Sequence, residues 1–473
     1  MTTSRSAEVP QLSVLDMSSL LIGIVVGTAI FEAPPVIFSQ FSTPGGGLLI
    51  WGLGALLAFS GALCYSELAT AYTDFGAEYV YLDRAYGRRV AFLFAWMQFS
   101  VVVTSSIGAM SFVFVSYSAH IFPGIRQFPA LVAAGAILTL LAFQISGLKT
   151  GKFVQNLLTA SKLFALVGLL LVGFSRVPTE ATFTSFESAP SSGSFALALI
   201  MVLFAYAGWN DSTAVAPEVR DVQRNLPRAL LYGLGFIAVL YISLNLAYLN
   251  ILGFEGLKQA KAPAANVVQR VLGERASWVM SLVVMISSLG AIHGTMFAGS
   301  RLLAAVGRDY PALGVWRKWN ARGAPVWALS TLAVISCVLI MIAGTDSGVQ
   351  LLQQAATQLG HSAPSGAQTA FEILVVAASP VFLFFFTLAG LAVIVLRFTD
   401  PTRPRPFRVP GYPFTPLVFC ASAGFMFYSS LMYAGLLTLL TVPMLSVGLV
   451  LAFVLRPEPA QTSAATEDVR QIH

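Results

Sequence analysis

Two short stretches of this chain hold residues suited to binding a polar ligand inside an apolar background. One is Gly27-Thr28-Ala29-Ile30-Phe31, followed at once by Glu32 and Pro34-Pro35, in the middle of a hydrophobic segment from about Val14 to Gln40. The other is Phe204-Ala205-Tyr206-Ala207-Gly208-Trp209-Asn210-Asp211-Ser212. Proline lacks the amide N–H and clashes with the preceding turn, and glycine weakens a helix by about 1 kcal/mol. Hydrocarbon offers no partner for a freed N–H or C=O. Each stretch therefore reads as a helix broken near mid-membrane, with loose backbone groups turned towards something polar. The N-terminus of a half-helix presents free N–H groups and partial positive charge, suited to a carboxylate. A half-helix C-terminus presents carbonyls, suited to an ammonium. Two such breaks meeting at one point fit a zwitterion, and the natural candidate is an α-amino acid.

The elements that must hold these stretches are membrane helices. Of 473 residues, 56% are apolar and 10% charged, against about 25% charged in soluble domains; the mean hydropathy is +0.77. A helix needs about 20 apolar residues to cross the hydrocarbon core. Twelve spans are expected, at 15–40, 46–72, 91–119, 128–146, 153–174, 195–217, 229–253, 277–302, 325–343, 371–396, 413–433 and 436–455. The last two share one charge-free run, which at 1.5 Å per residue is about twice the core thickness and is split near Gly435. The short polar N-terminus lacks the pattern of a cleaved signal peptide, so the first segment is expected to stay as a span.

Lys and Arg orient the bundle. With the N-terminus inside, six fall on outer connections (Arg126, Arg176, Lys258, Lys261, Arg270, Arg275), Lys162 lies within a span, and the remaining 20 of the 27 are cytoplasmic. Both termini are then cytoplasmic, in the inner membrane of a bacterium. The same asymmetry accounts for the net charge of +6 without a nucleic-acid partner; the lipid bilayer is the surrounding partner. Cys64, Cys337 and Cys420 all lie in apolar segments, which leaves no loop cysteine for a covalent partner subunit. The tails 1–14 and 456–473 are polar. The segment 262–275 reads as an amphipathic outer helix with Val267, Val268, Val271 and Leu272 on one face, and 345–368 is expected to be irregular.

The two breaks lie five spans apart, so they run in opposite directions. Interrupted segments at corresponding places in two halves of opposite topology point to a secondary-transporter site. Spans 1–5 (15–174) and spans 6–10 (195–396) would be inverted repeats, with spans 11 and 12 (413–455) added.

At these residues the chain resembles a bacterial member of the amino acid–polyamine–organocation (APC) superfamily, of the L-type amino-acid transporter branch. Gly27-Thr28-Ala29-Ile30-Phe31 is similar to that family's GSGIF-type break. Cys64-Tyr65-Ser66-Glu67-Leu68-Ala69-Thr70 and Gly76-Ala77-Glu78-Tyr79-Val80-Tyr81-Leu82 are similar to its CYAELGT…GGDYVYL run, and Phe204 to Asn210 to FAYGGWN. Pro217-Glu218-Val219, Arg224-Asn225-Leu226-Pro227-Arg228-Ala229 and Arg405-Pro406-Phe407-Arg408-Val409-Pro410-Gly411-Tyr412-Pro413 extend the likeness to about residue 415. The resemblance implies an all-α, five-plus-five inverted-repeat fold with broken helices 1 and 6, and alternating access. It implies a substrate carboxylate on the amides of Gly27, Thr28 and Ala29, with Ile30 next to them, and an ammonium on carbonyls near Val25, Phe204, Ala205 and Ala207. Phe204 would be the outer gate, and Gly208, Asn210 and Asp211 complete the second break. Lys162 matches a span 5 lysine that bridges towards span 1 where sodium-coupled relatives hold a cation, which implies sodium-independent exchange or uptake of neutral L-amino acids. The chain departs from the pattern at Ala29 and Ala207, where glycine is usual, and at Asp211, where animal members have an aromatic residue.

Several residues keep two readings. Asp211 binds a proton or a substrate amine, or else caps the second half of span 6 with Asn210, the favoured reading. Glu32 sits in the permeation path or simply complements a helix N-terminus. His293 relays protons or, as favoured, packs. Glu67 and Glu218 are candidates for cytoplasmic gate ion pairs with Arg. Ser105 and Ser106 in span 3 and one of the span 10 phenylalanines are candidates for lining the site. Proton-coupled uptake of cationic amino acids or polyamines is the alternative activity, motivated by Glu32 and Asp211. Neither cofactor nor metal is expected: His120, His293, His361 and His473 are scattered, no hydrolase or metalloprotease motif occurs, and the chain does not read as an enzyme.

Overall fold

The structure, a computed structural model, describes residues 12–27, 29–73, 76–146, 162–175, 192–321, 323–358, 369–435, 437 and 441–457. Helices make up almost all of it. Among the described residues there is no sheet, only an isolated parallel bridge between Leu12 and Val219. The first span is two helices, α1 (Val14–Val25) and α2 (Ala29–Phe38), bent by 55° at the break. Ser13 starts α1 with a capping box: its hydroxyl accepts from the Asp16 amide, and Asp16 accepts from the Ser13 amide. Then follow α3 (Pro44–Ala71), a short helix α4 (Glu78–Tyr86), α5 (Arg88–Met97), a π-helical turn over Gln98–Val103, α6 (Thr104–Ile121) and α7 (Pro129–Ser146). The described part of the fifth expected span is α8 (Lys162–Gly173). The second break follows α9 (Ser192–Tyr206), which gives way to a 3-10 helix over Asp211–Glu218. The remainder is α10 (Val222–Lys258), α11 (Pro263–Leu272), α12 (Glu274–Asp309), α13 (Val326–Ala343), α14 (Asp346–Gln358), α15 (Ala370–Thr399), α16 (Phe414–Ala434) and α17 (Val442–Val454).

Nine helices among the described residues are long and apolar enough to cross a membrane, or ten with the bent first pair counted as one span; α8 and α17 are shorter apolar helices. The molecule is a polytopic all-α membrane protein. The long C-terminal apolar run does divide at Gly435, which takes φ +46. The amphipathic segment is α11, with Val267 and Val268 buried, although Leu272 is exposed at its end. One expectation is corrected: 346–358 is helical, not irregular. Asp346 occupies its first turn, and the Thr345 hydroxyl accepts from the Gly348 amide, so capping starts a helix in a stretch whose polarity gave no apolar period.

The broken helices sit at the centre. α1 packs on α10, α2 on α9, and α3 on both α9 and α10; α6 packs on α12 and α15. Small residues permit this closeness, as is usual between helices in lipid. At Gly54 of α3 an added Cβ would overlap Val202 Cγ1 of α9, whereas Gly52, two residues earlier, faces open space. At the cytoplasmic end expected for α3, Glu67 forms a buried clasp. It accepts from Arg397 Nε at 2.8 Å and Nη2 at 2.6 Å, from the Val409 amide at 2.7 Å, and lies 3.6 Å from Arg405 Nε. Arg403 donates to the Ala71 carbonyl. The clasp ties the end of α3 to the connection after α15, and the pairing of Glu67 with Arg expected from sequence is present in it. The Glu218 side chain lies outside the described residues.

Gly54→Val should therefore destabilise the detergent-purified protein by about 1–3 kcal/mol, the usual cost of overpacking, read as a lowered thermal unfolding midpoint. Gly52→Val should leave the midpoint unchanged.

Candidate functional site

Both breaks open on one cavity of about 140 Å³, room for on the order of ten waters at about 10–15 Å³ each. Span 1 contributes Ile24, Val25, Gly27 and Ala29; span 6 contributes Leu203, Phe204, Ala205, Ala207, Gly208, Asn210 and Asp211. The structure thus brings together most of the residues expected from sequence. Thr28 lies outside the described residues. Ile30 is fully buried and is not in the lining; its carbonyl accepts from Tyr248. Ser105, Ser106, Thr295, Ser379 and Phe382 also line it, the last being the one residue of the span 10 phenylalanine group that reaches it.

The break in span 6 depends on Gly208. Its φ is +100, and an added Cβ would come within 2.8 Å of Ile24 Cγ2, so span 6 touches span 1 there only without a side chain. Phe204 lines the cavity and meets Phe371 edge-on at 5.8 Å, so an aromatic pair bounds one side.

The freed carbonyls find donors. Lys162 Nζ donates to the Gly23 carbonyl at 2.6 Å, tying α8 to α1. The Gly27 amide bonds the Val25 carbonyl at 2.6 Å. Tyr241 of α10 places its hydroxyl 2.9 Å from the Val25 carbonyl and 3.1 Å from the Ala205 carbonyl, one on each broken helix. Trp51 and Tyr206 hold that ring, at centroid distances of 5.5 and 5.3 Å. Tyr117 donates to the Phe31 carbonyl. Neither Tyr241 nor Tyr117 stood out in the sequence, because nothing local marks a tyrosine whose span 1 partner lies 216 or 86 positions away.

Two further features escaped the sequence. The π-helical turn brings Gln98, Val102 and Val103 to the cavity wall; such turns recur at functional sites. Glu78, the first residue of α4, is buried and accepts from the Tyr65 hydroxyl and, at 3.1 Å, from Asn210 Nδ2. The expected cap at Asn210 and Asp211 does not form: the 3-10 helix has no side-chain cap, and Asn210 spends its amide on Glu78 and, at 3.3 Å, on Asp211. Asp211 is exposed to the cavity. Glu32 lies in the first turn of α2 outside the lining, with Oε1 3.2 Å from the Ser116 hydroxyl. His293 is buried away from the cavity, its ring stacked on Phe297 at 6.5 Å and its carbonyl accepting from Gln144.

The amino acid permease family profile matches residues 12–454. The chain belongs to the amino acid permease family. It is 32% identical over 419 residues to the human b(0,+)-type amino acid transporter 1, covering 86% of this chain and 80% of that one. It is 26% identical over 428 residues to the serine/threonine exchanger SteT of Bacillus subtilis (strain 168), covering 89% and 91%. To the mouse large neutral amino acids transporter small subunit 2 it is 27% identical over 431 residues, covering 87% and 75%. The resemblance read from the motifs is thereby shown: this is an APC-superfamily permease, and its relatives are transporters, not enzymes.

Tyr241→Phe removes the donor shared by the two breaks. Loss of a hydrogen bond at a buried carbonyl costs about 1–3 kcal/mol of stability, so the thermal unfolding midpoint of the detergent-purified protein should fall, whereas an unchanged midpoint would show that the two carbonyls do not depend on this hydroxyl.

Proposed function

We propose that this permease is a secondary active transporter that exchanges or takes up neutral L-amino acids, independently of sodium, by alternating access. The observation that carries this reading is the meeting of both broken helices on one cavity. The α2 N-terminus offers amides to a substrate carboxylate. The carbonyls at Val25 and Ala205, at the ends of α1 and α9, offer acceptors to its ammonium. The Lys162 ammonium on the Gly23 carbonyl supports sodium independence, since it supplies a fixed cation beside the break. The twelve-span, five-plus-five arrangement with both termini inside a bacterial inner membrane belongs to the same proposal. It is supported by the opposed chain directions expected of the breaks and by the excess of Lys and Arg on one side.

Proteoliposomes loaded with unlabelled amino acids and offered labelled ones should accumulate label for at least one neutral amino acid, equally in sodium and in choline buffers. An absence of counterflow for every amino acid and amine overturns the proposal.

A second reading, uptake of cationic amino acids, is favoured by Asp211: its carboxylate opens on the cavity with no basic side chain at ion-pairing distance among the described residues. Under this reading Asp211→Asn lowers competition by lysine about tenfold or more relative to leucine in the counterflow assay, since each factor of ten is about 1.4 kcal/mol of lost attraction. An unchanged lysine-to-leucine ratio rejects it.

A further inference from the structure

Beneath the cavity lies a second carboxylate that substrate need not touch. Glu78 is 7% exposed and stands in the connection between the second and third spans, outside the membrane-crossing helices. No basic side chain pairs with it among the described residues. Its Oε1 accepts from Tyr65 and from Asn210 Nδ2, and the same Nδ2 reaches Asp211 Oδ1 at 3.3 Å. One amide group therefore joins a carboxylate in the cavity to a carboxylate below it. Asn210 Oδ1 is buried without a hydrogen-bond partner, an acceptor left over in a cluster of acceptors. Ala77, which precedes Glu78 at the start of α4, takes φ +44 and ψ −116, a positive φ that side-chain-bearing residues rarely adopt.

We propose that Glu78 is a proton-binding site coupled through Asn210 to the occupancy of the cavity at Asp211. This rests on the transport reading of that cavity and names a regulation of it. Burying a carboxylate with no cation disfavours its charged form. Here burial raises the Glu78 carboxyl to about 7, the Asp211 charge acts in the same direction, and the hydrogen bonds from Tyr65 and Asn210 act against it.

The groups that face Glu78 are few. α3 supplies Tyr65, its own helix supplies Tyr81, and the second break supplies Asn210 and Asp211. On α15, packed along α4, the charged residues are Glu372 near its start and Arg397, which is committed to Glu67. α12 presents Asp309 to Tyr79, and Asp83 turns to Arg88 of α5.

The sign follows. Below about pH 7 Glu78 holds its proton; above it Glu78 is ionised, and its negative charge rests on the same Asn210 amide that reaches Asp211. A cation entering at Asp211 stabilises the ionised form of Glu78, so binding releases a proton to water. By linkage the affinity for a cationic amino acid rises as pH rises through 7. A shift of one pKa unit on binding corresponds to a tenfold change in affinity.

The test measures competition by lysine and by leucine against counterflow from pH 5.5 to 8.5, in the wild type and in Glu78→Gln and Glu78→Asp. The wild-type lysine-to-leucine preference should rise about tenfold across pH 7. Glu78→Gln, neutral at every pH, should stay at the acid value, and Glu78→Asp should restore a transition. An identical pH profile in Glu78→Gln overturns the proposal, as does a flat wild-type profile while counterflow persists. Infrared titration of the detergent-purified protein reads the same group without transport. A carboxylic-acid C=O band that disappears near pH 7 should be present in the wild type and missing in Glu78→Gln; a band equal in both, or found in neither, also overturns it. Loss of all counterflow in the wild type, with the infrared band intact, would instead count against the transport reading and leave the proton site standing.

Discussion

The structure depends on what happens to carbonyls when a helix stops inside lipid. Each unpaired backbone group there costs several kcal/mol, so a break survives only if side chains replace the missing turn. Gly23 is served by Lys162, Phe31 by Tyr117, Ile30 by Tyr248, and the Val25 and Ala205 carbonyls by Tyr241. These donors come from α8, α6 and α10, so three further helices are fixed in place by two short defects. Trp51 and Tyr206 then fix the Tyr241 ring. The close approach of α3 to α9 at Gly54 keeps that aromatic group compact. The cavity is what remains between helices whose positions are already set by backbone demand.

The same logic separates the inner wall from the clasp at Glu67. The clasp is a closed set, a carboxylate with two arginines and an amide. Removing one member of such a buried set leaves charge uncompensated, which is costly. Glu78 is the opposite case, a buried carboxylate with neutral donors and no cation paired to it among the described residues. One acidic side chain is spent on holding the connection after α15 to α3; the other is left free to change its charge. The two lie only eleven positions apart in the chain, in Tyr65-Ser66-Glu67-Leu68 and Gly76-Ala77-Glu78-Tyr79.

How much was legible follows from the range of each interaction. The breaks were legible because glycine, alanine and proline act on their own backbone, and an apolar stretch interrupted by polar residues is conspicuous. Gly27, Ala29, Phe204 and Asp211 accordingly fall on one cavity. Lys162 was legible because a lysine in an apolar span demands a partner. Tyr241 and Glu78 were not, since their roles come from residues 216 and 132 positions away. Asn210 misled for the same reason: beside a helix start it reads as a cap, yet its amide is claimed by Glu78 on another helix. The π-helical turn over Gln98–Val103 left no local mark because Val and Ser suit a regular helix equally well. The α14 helix was missed because its capping hydroxyl at Thr345 is weaker evidence than the polar stretch around it.

A hydroxyl carries one hydrogen, while Tyr241 faces two carbonyls. The Val25 carbonyl keeps the Gly27 amide when that hydrogen turns to Ala205. One hydroxyl can therefore serve span 6 without stripping span 1 of its donor. A movement of either break changes which carbonyl the hydroxyl serves, so Tyr241 links the position of each broken helix to that of the other.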